Sequence, residues 1–251
     1  MARQTGIIKL KGTVGGISFY KTSDGHLARE KGGVDGNRIK NDPAFQRTRE
    51  NGSEFGRAGK GGKVLRDAIR LLLQNVTDKR VAANLQKRLV QVVKSDAVNE
   101  RGLRTIQDGN MVLLQDFDFN SKAKLGRTLY ASFQNSLDRV SGEGTVDIDP
   151  FQPATMIAAP GGTTHFKVVT GLAELDFVNE TSVFDSDESN ILPWDNATTS
   201  LINLSASVTA ASTLPLIQVI GVEFYQEVNG TMYPLKNGAY NALSIVAVDQ
   251  D

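Results

Sequence analysis

The sequence predicts an α+β protein: an N-terminal β-ribbon and helical hairpin packed with a C-terminal antiparallel β-sandwich. Three observations carry this expectation. Short runs of alternating apolar and polar residues, punctuated by glycine, occupy residues 6–30. Apolar residues recur at spacings of three and four between 42 and 95. After residue 106 come eight strand-like runs separated by turn residues. Alternation marks strands, and the three-to-four period marks amphipathic helices. With 251 residues, 40% hydrophobic and 22% charged, the chain is ordinary for a folded protein. The change of character places an expected boundary between a 1–104 module and a 105–251 domain.

The elements follow in order. "GIIKLKG" and "GGISFYK" read as strands around Gly12 to Gly16, and Ser23-Asp24-Gly25 turns the chain into "HLARE". Residues 31–41, with Gly32-Gly33 and Asp35-Gly36, read as loop. Asp42-Pro43 is a helix start, a capping carboxylate followed by proline at the first helical position. A second helix is expected from about Lys63 to Gln74, continuing the first or following a break. Thr77-Asp78 is expected to cap a third, reaching about residue 95 with Val81, Leu85, Leu89, Val92 and Val93 on its apolar face. The expected strands are "MVLLQDFDF", "TLYASFQ", "GTVDID", "TMIAAP", "HFKVVTGLAELDF", "INLSASVTA", "LIQVIGVEFYQEV" and "YNALSIVAV". Pro160-Gly161-Gly162 and Asn229-Gly230 supply turns, and Asn-Gly between two such runs is a strong hairpin signal. Residues 178–200 read as a long polar excursion.

Net charge is zero, yet unevenly spread. Residues 1–104 hold 22 Lys and Arg against 10 Asp and Glu; residues 105–251 hold 6 against 18. No lysine or arginine lies between Val168 and Leu235. Three explanations are open: the basic part meets nucleic acid, it meets the acidic part of a neighbouring copy, or packed halves neutralise each other within one chain.

The stretch "DPAFQRTRENGSEFGRAGKGGK" from residue 42 to 63 is the most informative. It is not a Walker A loop. The spacing from Gly56 to Gly62-Lys63 is one residue too long, and Val64 stands where a hydroxyl is needed. On a helix, Phe45, Thr48, Gly52, Phe55, Gly59 and Gly62 form one stripe, while Arg47 with Glu50 and Glu54 with Arg57 sit three apart off it. Each glycine destabilises a helix by about 1 kcal/mol relative to alanine. Close packing on another backbone is the natural compensation. That partner is this chain's own hairpin or a second copy; alternatively, Gly59 to Gly62 is a break between two helices.

"GTVGGISFYKTSDGHLAREKGG" followed by "DPAFQRTRENGSEFGRAGKGGKVLR" resembles the N-terminal region of a family of uncharacterised proteins encoded in Bacteroidota genomes. The resemblance covers about the first seventy residues, and "HFKVVTGLAELDF" is similar to the family's sheet region. It implies a ribbon-plus-helix arrangement and a β-rich C-terminal region, and brings no catalytic residues or activity.

Other chemistry is sparse. There are no cysteines, and the two histidines, His26 and His165, are far apart. "DFDFN" at 116–120 begins like a calcium loop but has Ser121 and Arg127 where glycine and glutamate are required. "DSDESN" at 185–190 reads either as a solvated acidic loop or as a calcium site. Asp147 and Asp149 fit strand alternation better than a glycosidase pair. No secretory signal or apolar membrane-length run is present, so synthesis in the cytoplasm is expected, with incorporation into an extracellular or phage-like assembly open.

The expected function is therefore non-enzymatic, without cofactor, metal or small-molecule substrate. The chain reads as a structural protein that self-assembles head-to-tail into a filament or tail-like particle, its partners being other copies of itself. The expected contacts are Ile7, Ile8, Leu10, Ile17 and Phe19 by strand addition, and Phe45, Arg47, Gly52, Phe55, Gly56, Arg57 and Gly59 on the helix. The alternative is phosphate binding to nucleic acid by Arg38, Lys40, Arg49, Lys60, Lys63 and Arg66.

Overall fold

The computed structural model describes residues 2–30 and 32–250, apart from the side chains of Lys236 and Asn237. The chain divides into two compact units, Met1–Arg49 and Glu50–Asp251. The 104/105 charge boundary lies inside the second unit.

In the first unit, β1 (Ala2–Arg3), β2 (Gly12–Val14), β3 (Ile17–Thr22) and β4 (Gly25–Glu30) form an antiparallel ribbon ordered β1-β4-β3-β2. Gly15 and Gly16 have φ of +55° and +81°, the left-handed pair that a two-residue turn requires. Ser23-Asp24 closes β3 onto β4, with Thr22 opposite Gly25. The expected strand "IIKLK" is instead a loop. Its ends are held by the Gln4 amide, whose Oε1 accepts from Leu10 N at 2.8 Å and whose Nε2 donates to Leu10 O at 3.3 Å and Leu27 O at 3.0 Å. The expected 31–41 loop is also corrected. Lys31 lies outside the described residues, but α1 (Gly36–Asn41) follows, because Asp35 accepts from Asn37 N and Arg38 N.

The Asp42-Pro43 start holds: Asp42 accepts from Ala44 N at 2.9 Å over a 3₁₀ turn, Pro43–Phe45. The helix α2 (Gln46–Ala68) runs unbroken past Gly59 to Gly62.

The second unit continues with α3 (Arg70–Leu73), α4 (Val81–Ser95), α5 (Leu125–Thr128), β5 (Phe133–Asp138), β6 (Glu143–Ile148) and α6 (Pro153–Met156). Next come β7 (His165–Asp176), β8 (Thr181–Glu188), β9 (Leu192–Pro193), β10 (Ile202–Ser207), β11 (Leu216–Val228), β12 (Thr231–Pro234) and β13 (Ala242–Asp249). A six-stranded sheet is centred on β11, which pairs β7 on one side and β12 and β13 on the other, with β8 and β9 beyond β7. A smaller sheet is ordered β10-β6-β5.

Period-two alternation sorts the central strands into two buried faces. Val169, Ala173, Leu175, Ile217, Val219, Leu243 and Ile245 share a core with Leu65, Ile69, Leu85, Leu89, Val92 and Val93 of the helices. Phe166, Val168, Ile220, Val222 and Phe224 point the other way, onto Val146, Ile148, Ile202 and Leu204 of the small sheet. The unit is thus layered helices, large sheet, small sheet. Burying each such side chain contributes roughly 1.5–3 kcal/mol. Coverage on both sides explains why β7 and β11 read as nearly continuous apolar runs.

Several expected elements change. Thr77-Asp78 is not the cap of α4, whose N-cap is Arg80; Asp78 accepts from Arg80 N and from Ser121 N and Oγ. "MVLLQDFDF" begins as a 3₁₀ turn, Met111–Leu114, then runs irregularly beside β13, with Asp116 N donating to Ile245 O and Phe119 N to Leu243 O. "TLYASFQ" becomes strand only from Phe133, and "TMIAAP" opens as a helical turn. The polar excursion contains β8 and β9. Residues 181–188 pair β7 despite their polarity because they form a sheet edge.

Candidate assembly surface

Among the described residues of 2–49, none is buried. Ile7 is 102% exposed and Ile8 81%, at the tip of the loop that Gln4 closes. Leu10, Val14 and Ile17 are exposed as well. Phe19 is half-buried on β3. Phe45 is half-buried, with the Arg38 guanidinium 5.7 Å from its ring. Gln4 was not found from sequence; a lone glutamine carries no signal until the strand β1 places it across from Leu10.

The glycine stripe divides. Gly61 and Gly62 are buried and Gly59 half-buried. A Cβ on Gly61 would stand 2.1 Å from Ile106 Cδ1, one on Gly62 3.3 Å from Leu89 Cδ1, and one on Gly59 3.1 Å from Gln86 Nε2. Their close partners therefore lie in this chain, on α4 and the segment after it rather than on the ribbon. Gly52 and Gly56 face open space, and Phe55 between them is 57% exposed.

Glu54 and Arg57, spaced as a pair on α2, both turn to partners beyond the helix. Glu54 is buried and accepts from Gly102 N at 2.8 Å. Arg57 donates to Gly102 O and Arg104 O, and Glu50 lies 3.4 Å from Arg101. Both carboxylates and the guanidinium grip the 101–104 loop, whose backbone groups need partners once packed. Gly102 takes a φ of +88°, and a Cβ there would stand 3.1 Å from Glu50 Cβ.

The basic residues meet different fates. Arg38 pairs with Asp42 at 3.0 Å, and Arg49 donates to Ile39 O and Asp42 O. Lys60 pairs with Glu180 at 3.0 Å. Arg66 is half-buried, while Lys40, Arg47 and Lys63 are exposed. Among the ion pairs of the described residues, Lys60–Glu180 is the one that joins 50–104 to 105–251. Opposite charges thus share a compact unit while mostly remaining unpaired across it.

On the acidic side, the "DSDESN" residues lie largely in β8. Asp185 accepts from Ser207 N at 2.8 Å and Asp187 from Ser205 N at 3.0 Å. Their carboxylates cap the outer edge of β10, a device that closes an edge to strand addition. Asp147 accepts from the Asn203 amide. Asp118 sits half-buried with its pKa raised by burial. No group of three or more His, Asp or Glu side chains among the described residues is placed to hold a metal ion. No helix of the described residues is long and apolar enough to cross a membrane.

A different cluster joins the central strands. Lys167 Nζ lies 2.7 Å from Glu188 and 3.6 Å from Glu223, Tyr225 donates to Glu223 at 2.7 Å, and Asn75 donates to Glu223 at 2.8 Å. Burial, reinforced by the Glu223 carboxylate, pushes the Tyr225 phenol up to about 12. Every charged member has a partner, which is the arrangement of a structural tie.

No protein-family model matches the chain, and no curated protein does. Among solved structures, the reeler domain of human F-spondin aligns with 50% of this chain and 99% of its own length at 11% identity, with a TM-score of 0.19. A likeness at that level carries neither fold nor function across.

Proposed function

We propose that this chain is a non-enzymatic structural protein that self-assembles head-to-tail, the first unit of one copy docking on the second unit of the next. The observation that carries the reading is the absence of any buried residue among those described in 2–49. Ordering a residue costs roughly 1–2 kcal/mol of backbone entropy. A small ribbon whose apolar side chains are at most half-buried gains little of the apolar term that offsets this, and such ribbons are marginal alone. Its exposed isoleucines call for a cover.

Charge favours another copy as that cover. The first unit holds 10 Lys and Arg against 4 Asp and Glu, a net +6; the second holds 18 against 24, a net −6. A contact between two different patches propagates as a filament unless its rotation closes a ring. Particle incorporation, filament or tail-like, belongs to the same proposal.

The test is sedimentation velocity with negative-stain microscopy over a range of concentration and salt. Polymers or rings that weaken as salt rises, and vanish on deletion of residues 1–30, are expected. A chain that stays monomeric at high concentration in both low and high salt refutes the reading. The alternative, phosphate binding, rests on exposed Lys40, Arg47 and Lys63. It predicts gel retardation of nucleic acid at low salt that is lost at high salt.

A further inference from the structure

We propose that the fingertip Ile7-Ile8 of one copy seats in the cleft between the end of β8 and the start of β10 of the next copy. The inference rests on the self-assembly reading and names the acceptor. That cleft, about 280 Å³, is mostly polar, with Asp187, Glu188 and Asn203 on its walls; Leu201 and the half-buried Leu192 are its accessible apolar side chains, while Ile202 and Leu204 turn into the core beneath it. Leu201 is 56% exposed there.

Complementarity holds twice over. The finger offers two isoleucines with Lys9 and Lys11 beside them, and residues 1–23 contain no acid. The cleft offers the exposed Leu201 and the rim of Leu192 with carboxylates beside them, inside a stretch without lysine or arginine from 168 to 235. Glu188 is held by Lys167. Asp187 accepts only backbone N–H groups, from Ser205 and Glu188, so no cation of the described residues neutralises it. A carboxylate has lone pairs to spare for an incoming ammonium. The Gln4 clasp pre-orders the finger, so less conformational freedom is lost on docking. This is a knob entering a pocket, and it replaces strand addition by "IIKLK", whose residues are not a strand here.

The chain has no cysteine, which makes cross-linking clean. Copies carrying Ile8→Cys are mixed with copies carrying Leu201→Cys under mild oxidation. A disulfide-linked dimer of unlike variants is expected, absent from Ile8→Cys with Val140→Cys, a control position even more exposed than Leu201. Leu201→Arg is expected to raise the self-association Kd at least tenfold with an unchanged circular dichroism spectrum, and Val140→Arg to leave it alone. If wild-type protein assembles but Leu201→Arg assembles equally well and the unlike dimer does not form, the cleft assignment is overturned while the assembly reading stands. If wild-type protein never associates, both fall.

Discussion

The Oδ2 atom of Asp185 accepts a hydrogen bond from the backbone N–H of Ser207 at 2.8 Å. Two residues along each strand, Asp187 does the same for Ser205. Carboxylates of one sheet thereby substitute for the neighbouring strand that the edge of β10 lacks. Edge N–H groups left open are templates for pairing with another chain. If this chain polymerises, it does so without that edge.

Removing the acceptors should therefore loosen β10. Asp185→Ala with Asp187→Ala is expected to speed amide exchange at Ser205 and Ser207 at least tenfold and to lower stability by about 1 kcal/mol. The Asn counterparts, which keep an acceptor oxygen, should retain most of the protection. Unchanged exchange in the alanine pair would show that these bonds do not hold the edge.

The two open helical glycines should be replaceable. Gly52→Ala and Gly56→Ala are each expected to raise stability by about 0.5–1 kcal/mol, since nothing lies within 4 Å of the new methyl and alanine favours the helix. Gly109→Ala is the contrast: its Cβ would lie 2.2 Å from Val92 O, and a loss of roughly 3 kcal/mol is expected. Thermal denaturation of the three variants checks both directions.

Asp96 should supply acid sensitivity. Burial opposes its ionisation, but donors from Asn99 N, Thr105 N, Asn99 Nδ2 and Val98 N outweigh it and hold the pKa down to about 2. A depressed folded pKa contributes stability that is present above the unfolded value near 4 and lost as pH falls toward 2. Asp96→Ala is expected to remove roughly 1–2 kcal/mol at neutral pH, screened somewhat by nearby solvent. It should also flatten the pH 4 to 2 limb in urea denaturation.

Tyr225 should act at the alkaline end. Burial and then the Glu223 hydrogen bond raise its pKa to about 12. Above about pH 10 the unfolded chain releases this proton while the folded one keeps it. Stability should therefore fall as pH rises from about 10 to about 12. Tyr225→Phe should abolish that part of the fall, and ultraviolet titration should find one tyrosine ionising late. A phenol titrating normally would contradict the buried tie.

Much of the fold was readable along the chain. The run "LIQVIGVEFYQEV" is β11 residue for residue, and the Asn229-Gly230 turn, with φ of +52° and +78°, closes it onto β12. The apolar period of α4 and the Asp42-Pro43 start are likewise where local chemistry put them. The candidate surface was less readable. "IIKLK" alternates like a strand, yet the Gln4 clasp makes it a loop. Arg57 and Glu54 are spaced as helix-surface partners, yet both turn to the loop at 101–104, whose unpaired backbone groups no spacing rule can see. The acids of β8 resembled a solvated loop because their partners, Ser205 and Ser207, lie about twenty residues away.

Turn residues, caps and periodicity act over a few neighbours, so composition and order alone settled the α+β class, most of the long strands and the Asp42-Pro43 helix start. The packing of helices 50–95 with the large sheet, the division at Arg49/Glu50, and the partners of the glycines and carboxylates were settled only in three dimensions. Each depends on groups drawn from distant parts of the chain, where the winner is whichever arrangement buries the most apolar surface while leaving the fewest polar groups unpaired.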